Sequence, residues 1–234
     1  MFKLPAMGRP AFAGALVLFL SFFSLGTSAA VTLDFFCITL NNTGDCAIGE
    51  SQLSVDVSSY GIGTGVNGGD EVLFTFMATG PADLEISEVY FDDGTLLGIA
   101  GLIDADENGG DAGVDFEQGA NPPDLPGGNS MFGTFGLPNF DVTAGFLADA
   151  DNPAPQKGVS PGESLGVIFE LQGGGDVNDI LLELTNGDLR IGMHVIDYDS
   201  GGSESFVNNP IPIPAAAWLF GTALIGLAGL KRKK

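Results

Sequence analysis

Apolar and polar residues alternate along several stretches of the chain. Leu53, Val55 and Val57 are separated by polar residues, and the same period of two runs through residues 189–196. Such alternation predicts β-strands with one face in a core and the other toward water. Further strands are predicted at residues 31–40, 72–78, 84–91, 165–171, 180–184 and 203–207. No window outside the two termini predicts an amphipathic helix.

Turn-forming residues separate these strands, in segments 41–45, 61–70, 92–94, 173–176 and 186–187. The chain has 36 glycines and 13 prolines in 234 residues, which favours short elements joined by many turns. This combination predicts an all-β fold, an antiparallel β-sandwich, as one domain over residues 31–209. Residues 104–162 contain several Pro and Gly clusters and predict an elaborated loop region. Four phenylalanines predict that this region packs on the sandwich: Phe132, Phe135, Phe140 and Phe146.

The N-terminal segment has the composition of a secretory signal peptide. Lys3 and Arg9 precede an apolar run over residues 11–25, and small residues follow at 26–30. This pattern predicts a signal helix in residues 1–30 and cleavage after Ala30, with Ala29 as the alternative position. A retained anchor helix is the competing interpretation, but residues 11–25 are short for a span of about 20 residues.

The C-terminal segment, residues 210–234, repeats these features in reverse order. The prolines of residues 211–214 precede an apolar run over 215–230, and four cations close the chain at 231–234. Cations next to an apolar helix stay in the cytoplasm, so the body is predicted to lie outside the inner membrane. A helix over residues 215–230 is about 24 Å long, against a hydrocarbon core of about 30 Å. This transmembrane-like helix is therefore predicted to anchor the protein only transiently.

The charge of the body is strongly negative. All 30 acidic residues lie between Asp34 and Glu204, where only Lys157 and Arg190 are basic, an excess of 28 negative charges. A nucleic-acid partner is excluded because phosphate recognition needs cationic groups. One interpretation of this charge is an acidic, well-solvated exported protein. The other is that acidic loops bind divalent cations, which would relieve part of the repulsion between the carboxylates.

Residues 211–234 resemble the PEP-CTERM sorting signal, in which a Pro-x-Pro motif, an apolar span and a basic tip follow one another. The motif residues here are Pro212, Ile213, Pro214 and Trp218. Ile213 stands in place of the Glu of the family motif, and the Ala-Ala-x-Trp-Leu-Phe-Gly around Trp218 matches an aliphatic variant of the family. A generic C-terminal anchor is the alternative interpretation of this segment.

The resemblance implies a processing partner and a location. Proteins with this tail are exported by Gram-negative bacteria that make exopolysaccharide, and an exosortase, which is an integral-membrane transpeptidase or protease, recognises the tail. Because Ile213 departs from the family motif, the cleavage position and the exosortase subtype stay open. Residues 187–208 also resemble the stretch before the tail in such proteins, and that likeness implies no activity.

Cys37 and Cys46 are the two cysteines of the chain, with eight residues between them. A strand followed by an Asn/Gly turn can bring the two sulfurs together, and an exported protein meets an oxidising compartment. A disulfide is therefore predicted, with two free thiols as the alternative. Closing this loop is expected to stabilise the fold by about 2–3 kcal/mol.

The sharpest chemical signal is the acidic segment 104–115. Asp104, Asp106 and Asn108 occupy positions 1, 3 and 5 of a calcium loop, Gly109 follows at position 6 and Asp115 falls at position 12. Asp111, Glu107 and Glu117 add further oxygen donors. The segment predicts a candidate Ca²⁺ site, and a solvated acidic turn is the alternative. A second and weaker acidic cluster comprises Asp197, Asp199 and Glu204.

The sequence gives little sign of catalysis. His194 is the only histidine, and a Ser–His–Asp arrangement would have to draw on Ser203 and Asp197 from almost the same strand. No Gly-x-Ser-x-Gly elbow is present, so no catalytic residue is predicted. Tyrosines could form a platform for stacking sugars, although aromatic residues in alternating strands belong more often to the core. These tyrosines are Tyr60, Tyr90 and Tyr198.

Taken together, these features predict an exported, non-enzymatic protein of the cell surface or extracellular matrix. Its association with exopolysaccharide or a biofilm is implied by the tail resemblance alone. A polysaccharide-binding module, with calcium bridging anionic sugars, is the first alternative. A secreted hydrolase is the second.

Overall fold

The computed structural model describes residues 30–92, 96–120, 122–143 and 147–209. Residues 1–29 of the predicted signal peptide lie outside this part of the chain, as do Phe146 and the tail with Pro212, Ile213, Pro214 and Trp218. None of the described helices has both the length and the apolar character needed to span a bilayer.

The described residues are mostly β. The strands are β1 (Val31–Leu33), β2 (Phe35–Cys37), β3 (Leu53–Gly61), β4 (Glu71–Ala78), β5 (Glu85–Asp92), β6 (Leu96–Ile103), β7 (Phe116–Gln118), β8 (Leu147–Ala150), β9 (Ser164–Leu171), β10 (Arg190–Ile196) and β11 (Glu204–Asn208). The α-helices are α1 (Thr43–Gln52), α2 (Met131–Phe135) and α3 (Val177–Asn186). Two short 3₁₀ turns lie at Gly128–Ser130 and Ala154–Gln156.

The strands form two antiparallel sheets. The first sheet has the order β1-β3-β4-β9-β6, and the second has the order β2-β11-β10-β5-β8-β7. The chain passes from one sheet to the other at Asp34, between β1 and β2. The Asp34 carbonyl also accepts a hydrogen bond of 2.8 Å from the backbone N–H of Asn209, which follows β11. The arrangement is consistent with the predicted β-sandwich.

A cluster of phenylalanines joins the two sheets. Phe74 on β4 and Phe169 on β9 belong to the first sheet, and Phe91 on β5 belongs to the second. The Phe91 ring centroid lies 5.2 Å from that of Phe74 and 4.7 Å from that of Phe169, in edge-to-face geometry. All three side chains are fully buried. Aromatic contacts of this kind add to the hydrophobic burial that holds the sheets together.

The prediction of a strand at residues 180–184 is wrong, because these residues lie inside α3. Ile180 and Leu184 are four residues apart and are the buried positions of this helix, which is a helical period. Asp176 and Asp179 form a capping box at its start, and Gly187 ends it in the left-handed conformation at φ 79°. These terminal signals outweigh the short apolar run that suggested a strand.

Helix α1 was likewise not predicted by the residue pattern. Asn42 is its N-cap and accepts a hydrogen bond of 2.9 Å from the Gly44 N–H. Its buried positions include polar Asp45 and Gln52, so the helix lacks a distinct apolar face. A periodicity argument cannot detect such a helix, because its position depends on tertiary contacts.

The elaborated region packs on the outer face of the second sheet, as expected. It contributes β7 and β8 to that sheet, and Leu125, Met131 and Phe140 are buried against it. Their partners on the sheet include Tyr90, whose hydroxyl donates a 3.0 Å hydrogen bond to the Pro122 carbonyl. Phe132 differs from the expectation, since 70% of it is exposed.

Candidate functional site

Three of the predicted calcium ligands, Asp104, Asp106 and Asp115, come together in the structure. Asp104 directly follows β6, Asp115 directly precedes β7, and Asp106 lies in the turn between them. One carboxylate oxygen from each residue lies within 4.8 Å of the other two. This convergence arises because the end of β6 and the start of β7 bring loop positions 1 and 12 side by side.

Asp104 is the buried member of this cluster. Its two carboxylate oxygens accept hydrogen bonds from the backbone N–H groups of Glu107 and Phe116, at 3.0 and 3.1 Å. Burial raises the pKa of the Asp104 carboxyl, and these two hydrogen bonds oppose the rise. Asp104 therefore holds the loop in place through these hydrogen bonds. Asp106 is exposed, so its carboxylate faces solvent.

Asp111 is not brought into the cluster, and the NH₂ group of Asn108 is bound to the backbone. The Asn108 side-chain amide donates a 2.5 Å hydrogen bond to the Leu102 carbonyl, at the edge of the first sheet. The Asp111 carboxylate accepts hydrogen bonds from the N–H and hydroxyl of Ser164, at 2.8 and 3.0 Å. Both predicted ligands thus bind other parts of the fold.

A lysine that the sequence analysis missed reaches the acidic cluster. The Lys157 ammonium lies 2.6 Å from a carboxylate oxygen of Asp115, and this hydrogen bond raises the pKa of the Lys157 amine. Lys157 is 42 residues from Asp115 in sequence, so no local spacing links the two. An adjoining cleft of about 380 Å³ is also lined by Glu107, Glu117 and Asp151.

The charge balance defines what this site can do chemically. Carboxylate oxygens are hard donors that suit Ca²⁺, and Asp104, Asp106 and Asp115 offer such oxygens close together. Lys157 already neutralises part of their charge. A divalent cation would therefore have to compete with the Lys157 ammonium for Asp115.

The predicted disulfide is present in the structure, between Cys37 and Cys46 at an S–S distance of 2.11 Å. The route of the chain differs from the expectation, because Cys46 lies in α1 rather than on a returning strand. Glu204 is buried beside this pair. Its carboxylate accepts hydrogen bonds from the Thr39 hydroxyl and the Asn42 N–H, each at 2.5 Å. This member of the second acidic cluster is therefore bound within the fold.

The residues considered for a catalytic triad are not assembled. The His194 Nδ1 atom forms a hydrogen bond with the Glu88 carboxylate, across the β10–β5 pair. Ser205, and not Ser203, lies opposite His194 on β11, and its hydroxyl is buried without a hydrogen-bond partner. A serine nucleophile needs a hydrogen bond to its base and access for substrate. Sequence spacing could not reveal the Glu88 pairing, since the two residues are 106 positions apart.

The three tyrosines do not form a common platform. Tyr90 and Tyr198 are buried, and burial raises the pKa of both phenols. Tyr60 is 48% exposed at the end of β3, near the exposed apolar residues Ile62 and Val66. Among these three tyrosines, only Tyr60 is exposed enough to contact a sugar.

A buried acid that the sequence analysis did not single out lies at the start of β5. Glu85 is 1% exposed, and one of its carboxylate oxygens has no hydrogen-bond partner. Burial raises the pKa of Glu85 to about 7, and the nearby charges of Asp197 and Glu163 act in the same direction. A hydrogen bond with the Gly158 backbone opposes this rise.

No protein-family model, no curated protein and no solved structure matches this chain.

Proposed function

We propose that this chain is an exported, non-enzymatic protein of the cell surface or extracellular matrix of a Gram-negative bacterium. In this proposal a signal peptide delivers the body across the inner membrane. The tail anchors it there transiently until an exosortase acts on the segment around Pro212, Ile213 and Pro214. The mature body then associates with exopolysaccharide.

One observation carries this proposal: an acidic body is flanked by a leader-like segment and a tail that resembles a PEP-CTERM sorting signal. Two further features support it. The Cys37–Cys46 disulfide suits an oxidising compartment outside the cytoplasm. The excess of negative charge keeps such a body soluble and away from anionic membrane surfaces.

Intact-mass analysis of the native protein from the cell surface and the medium tests the proposal. The expected mass lacks residues 1–30 and part of residues 210–234, and is lower by two hydrogens because of the disulfide. A matched variant with Pro212→Ala and Pro214→Ala is expected to keep its tail and remain in the membrane fraction. Full-length protein in the cytosol, with both cysteines reduced, would refute the proposal.

The convergence of Asp104, Asp106 and Asp115 favours a second candidate function, a calcium-dependent polysaccharide-binding module. Extracellular calcium sites bind with dissociation constants of about 10⁻⁴–10⁻³ M. Calorimetric titration with CaCl₂ is expected to show binding in this range that Asp106→Asn abolishes. Asp111→Asn is the matched control, because Asp111 binds Ser164 and should leave calcium binding unchanged.

A glycan array provides the second arm of this experiment. The module is expected to retain a polysaccharide in the presence of Ca²⁺ and release it when a chelator is added. Absence of calcium binding at about 10 mM, well above the extracellular range, would eliminate this candidate.

A further inference from the structure

Residues 151–163, here called the strap, join β8 to β9 and lie across the start of β5. The Ile86 N–H donates a 3.1 Å hydrogen bond to the Val159 carbonyl, and the Val159 N–H donates one of 3.0 Å to the Ile86 carbonyl. Lys157, in the middle of the strap, forms the ion pair with Asp115. The strap is therefore attached to the second sheet by a backbone pair and by a salt bridge.

Glu85 lies beneath the strap and is 1% exposed. Gly158 is the strap residue that contacts it most closely. A Cβ atom added at Gly158 would lie 2.5 Å from the Glu85 Oε1 atom and 2.4 Å from the Ile86 carbonyl oxygen. The strap can approach the Glu85 side chain this closely because Gly158 has no side chain of its own. Movement of the strap away from β5 would uncover the Glu85 carboxyl group.

The surroundings of Glu85 oppose its ionised form. Its Oε1 atom has no hydrogen-bond partner, and the Gly158 backbone provides a hydrogen bond to the carboxyl group. Two acidic groups act on it: Glu163 at the end of the strap and Asp197, which follows β10. A buried carboxylate among such neighbours is costly in free energy, and either protonation or contact with water removes that cost.

We propose that residues 151–163 are a pH-sensitive strap, which covers Glu85 while this residue is protonated and opens locally when it ionises. Its pairing with the sheets consists of isolated bridges at Val159 and Pro161. The strap can therefore separate while β5 stays paired with β8 and β10. Exposure of the fully buried Val159 side chain opposes this opening, and local openings of this kind cost less than global unfolding.

Proton linkage sets the size of the effect. The pKa of Glu85 is about 7 under the closed strap, against an ordinary value of 4.5. The closed strap binds the proton more tightly, so the equilibrium constant for opening rises with pH between these two values and levels off above them. Its upper limit is a rise of about fortyfold between pH 5 and pH 7, and we expect at least about fivefold.

Amide hydrogen exchange of the full chain, purified in detergent with its disulfide intact and read by NMR from pH 5 to pH 8, tests the proposal. The reporters are the N–H groups of Ile86 and Val159, and each rate is divided by the intrinsic rate at that pH. Their protection is expected to fall at least about fivefold between pH 5 and pH 7 in wild type. In Glu85→Gln it should stay constant. His194, which bonds Glu88 on the same strand pair, is present in both proteins.

Lys157→Met is the matched control for the attachment of the strap. It removes the ion pair with Asp115 and leaves Glu85 in place. Protection of both reporters is expected to fall by a similar factor at every pH, because the pKa of the Lys157 amine is raised and the amine stays charged throughout. The dependence on pH should remain that of wild type. This control separates the strength of the attachment from its response to protons.

Three outcomes would overturn the proposal. The first is constant protection of the reporters in wild type, and the second is an unchanged pH dependence in Glu85→Gln. The third is protection equal to that of β4, the central strand of the first sheet, which would show exchange by global unfolding alone. The first and third outcomes need no variant, so the test stands even where Glu85→Gln does not fold. The inference goes beyond the proposed function and does not depend on export.

Discussion

The raised pKa of the buried Glu85 carboxyl predicts how the free energy of unfolding depends on pH. Its pKa rises from an ordinary value of 4.5 to about 7 in the folded protein, chiefly because of burial. The folded state therefore binds a proton more tightly than the unfolded state does. Between about pH 4.5 and pH 7 this group lowers the free energy of unfolding as the pH rises, and outside that window its contribution is constant.

The size of the effect follows from the shift. One pKa unit corresponds to about 1.4 kcal/mol, so the shift of Glu85 sets an upper limit of about 3 kcal/mol. Solvent penetration and small rearrangements reduce this value, and we expect about 1–3 kcal/mol. Glu85→Gln keeps the shape of the protonated acid and removes the titration. Relative to wild type, the variant is therefore expected to gain that stability between pH 4 and pH 8.

Urea unfolding at pH values from 4 to 8.5 measures this difference. Asp92 and Asp104 also have pKa values raised by burial, but they are present in both proteins and their contributions cancel in the comparison. Asp83→Asn is the matched control, because it removes the same charge at an exposed position two residues away. A stability difference between wild type and Glu85→Gln that stays constant across this pH range would refute the reasoning.

Three further predictions concern the core, the disulfide region and the acidic cluster. Phe91→Ala removes the ring that contacts both Phe74 and Phe169, and is expected to lower the free energy of unfolding by about 3–5 kcal/mol in urea titrations. In the wild type, the Thr39 hydroxyl and the Asn42 N–H donate to the Glu204 carboxylate. Glu204→Gln replaces one acceptor oxygen with an NH₂ group, so calorimetry should show a free energy of unfolding lower by about 1.5–3 kcal/mol. Lys157→Met removes the cation beside Asp115, and added Ca²⁺ should raise the Tm of this variant more than that of wild type.

The strands with clear alternation were predictable from sequence. In β4, every second residue from Val72 to Ala78 is buried, as the period of two requires. The two sheets follow from such strands and from the turns between them. Helix α3 was not predictable by periodicity because its apolar residues form a short cluster, and its capping residues Asp176 and Gly187 are also typical of turns.

The candidate site was predictable only where its residues are close in sequence. The Cys37–Cys46 pair and the Asp104–Asp106 segment were found from spacing, and the structure brings both sets together. Contacts between residues that are distant in sequence leave no local signal, so the ion pair of Lys157 with Asp115 was not predictable. The hydrogen bond from the Asn108 NH₂ group to the Leu102 carbonyl depends on the path of β6 and has no signal in the sequence.

The hydrogen bond between Asn209 and Asp34 places the first and last described segments of the body side by side. The end of β11 is therefore fixed to the point at which the chain passes from the first sheet to the second. Among the described strands β2 pairs only with β11, so release of β11 would leave β2 without a strand partner.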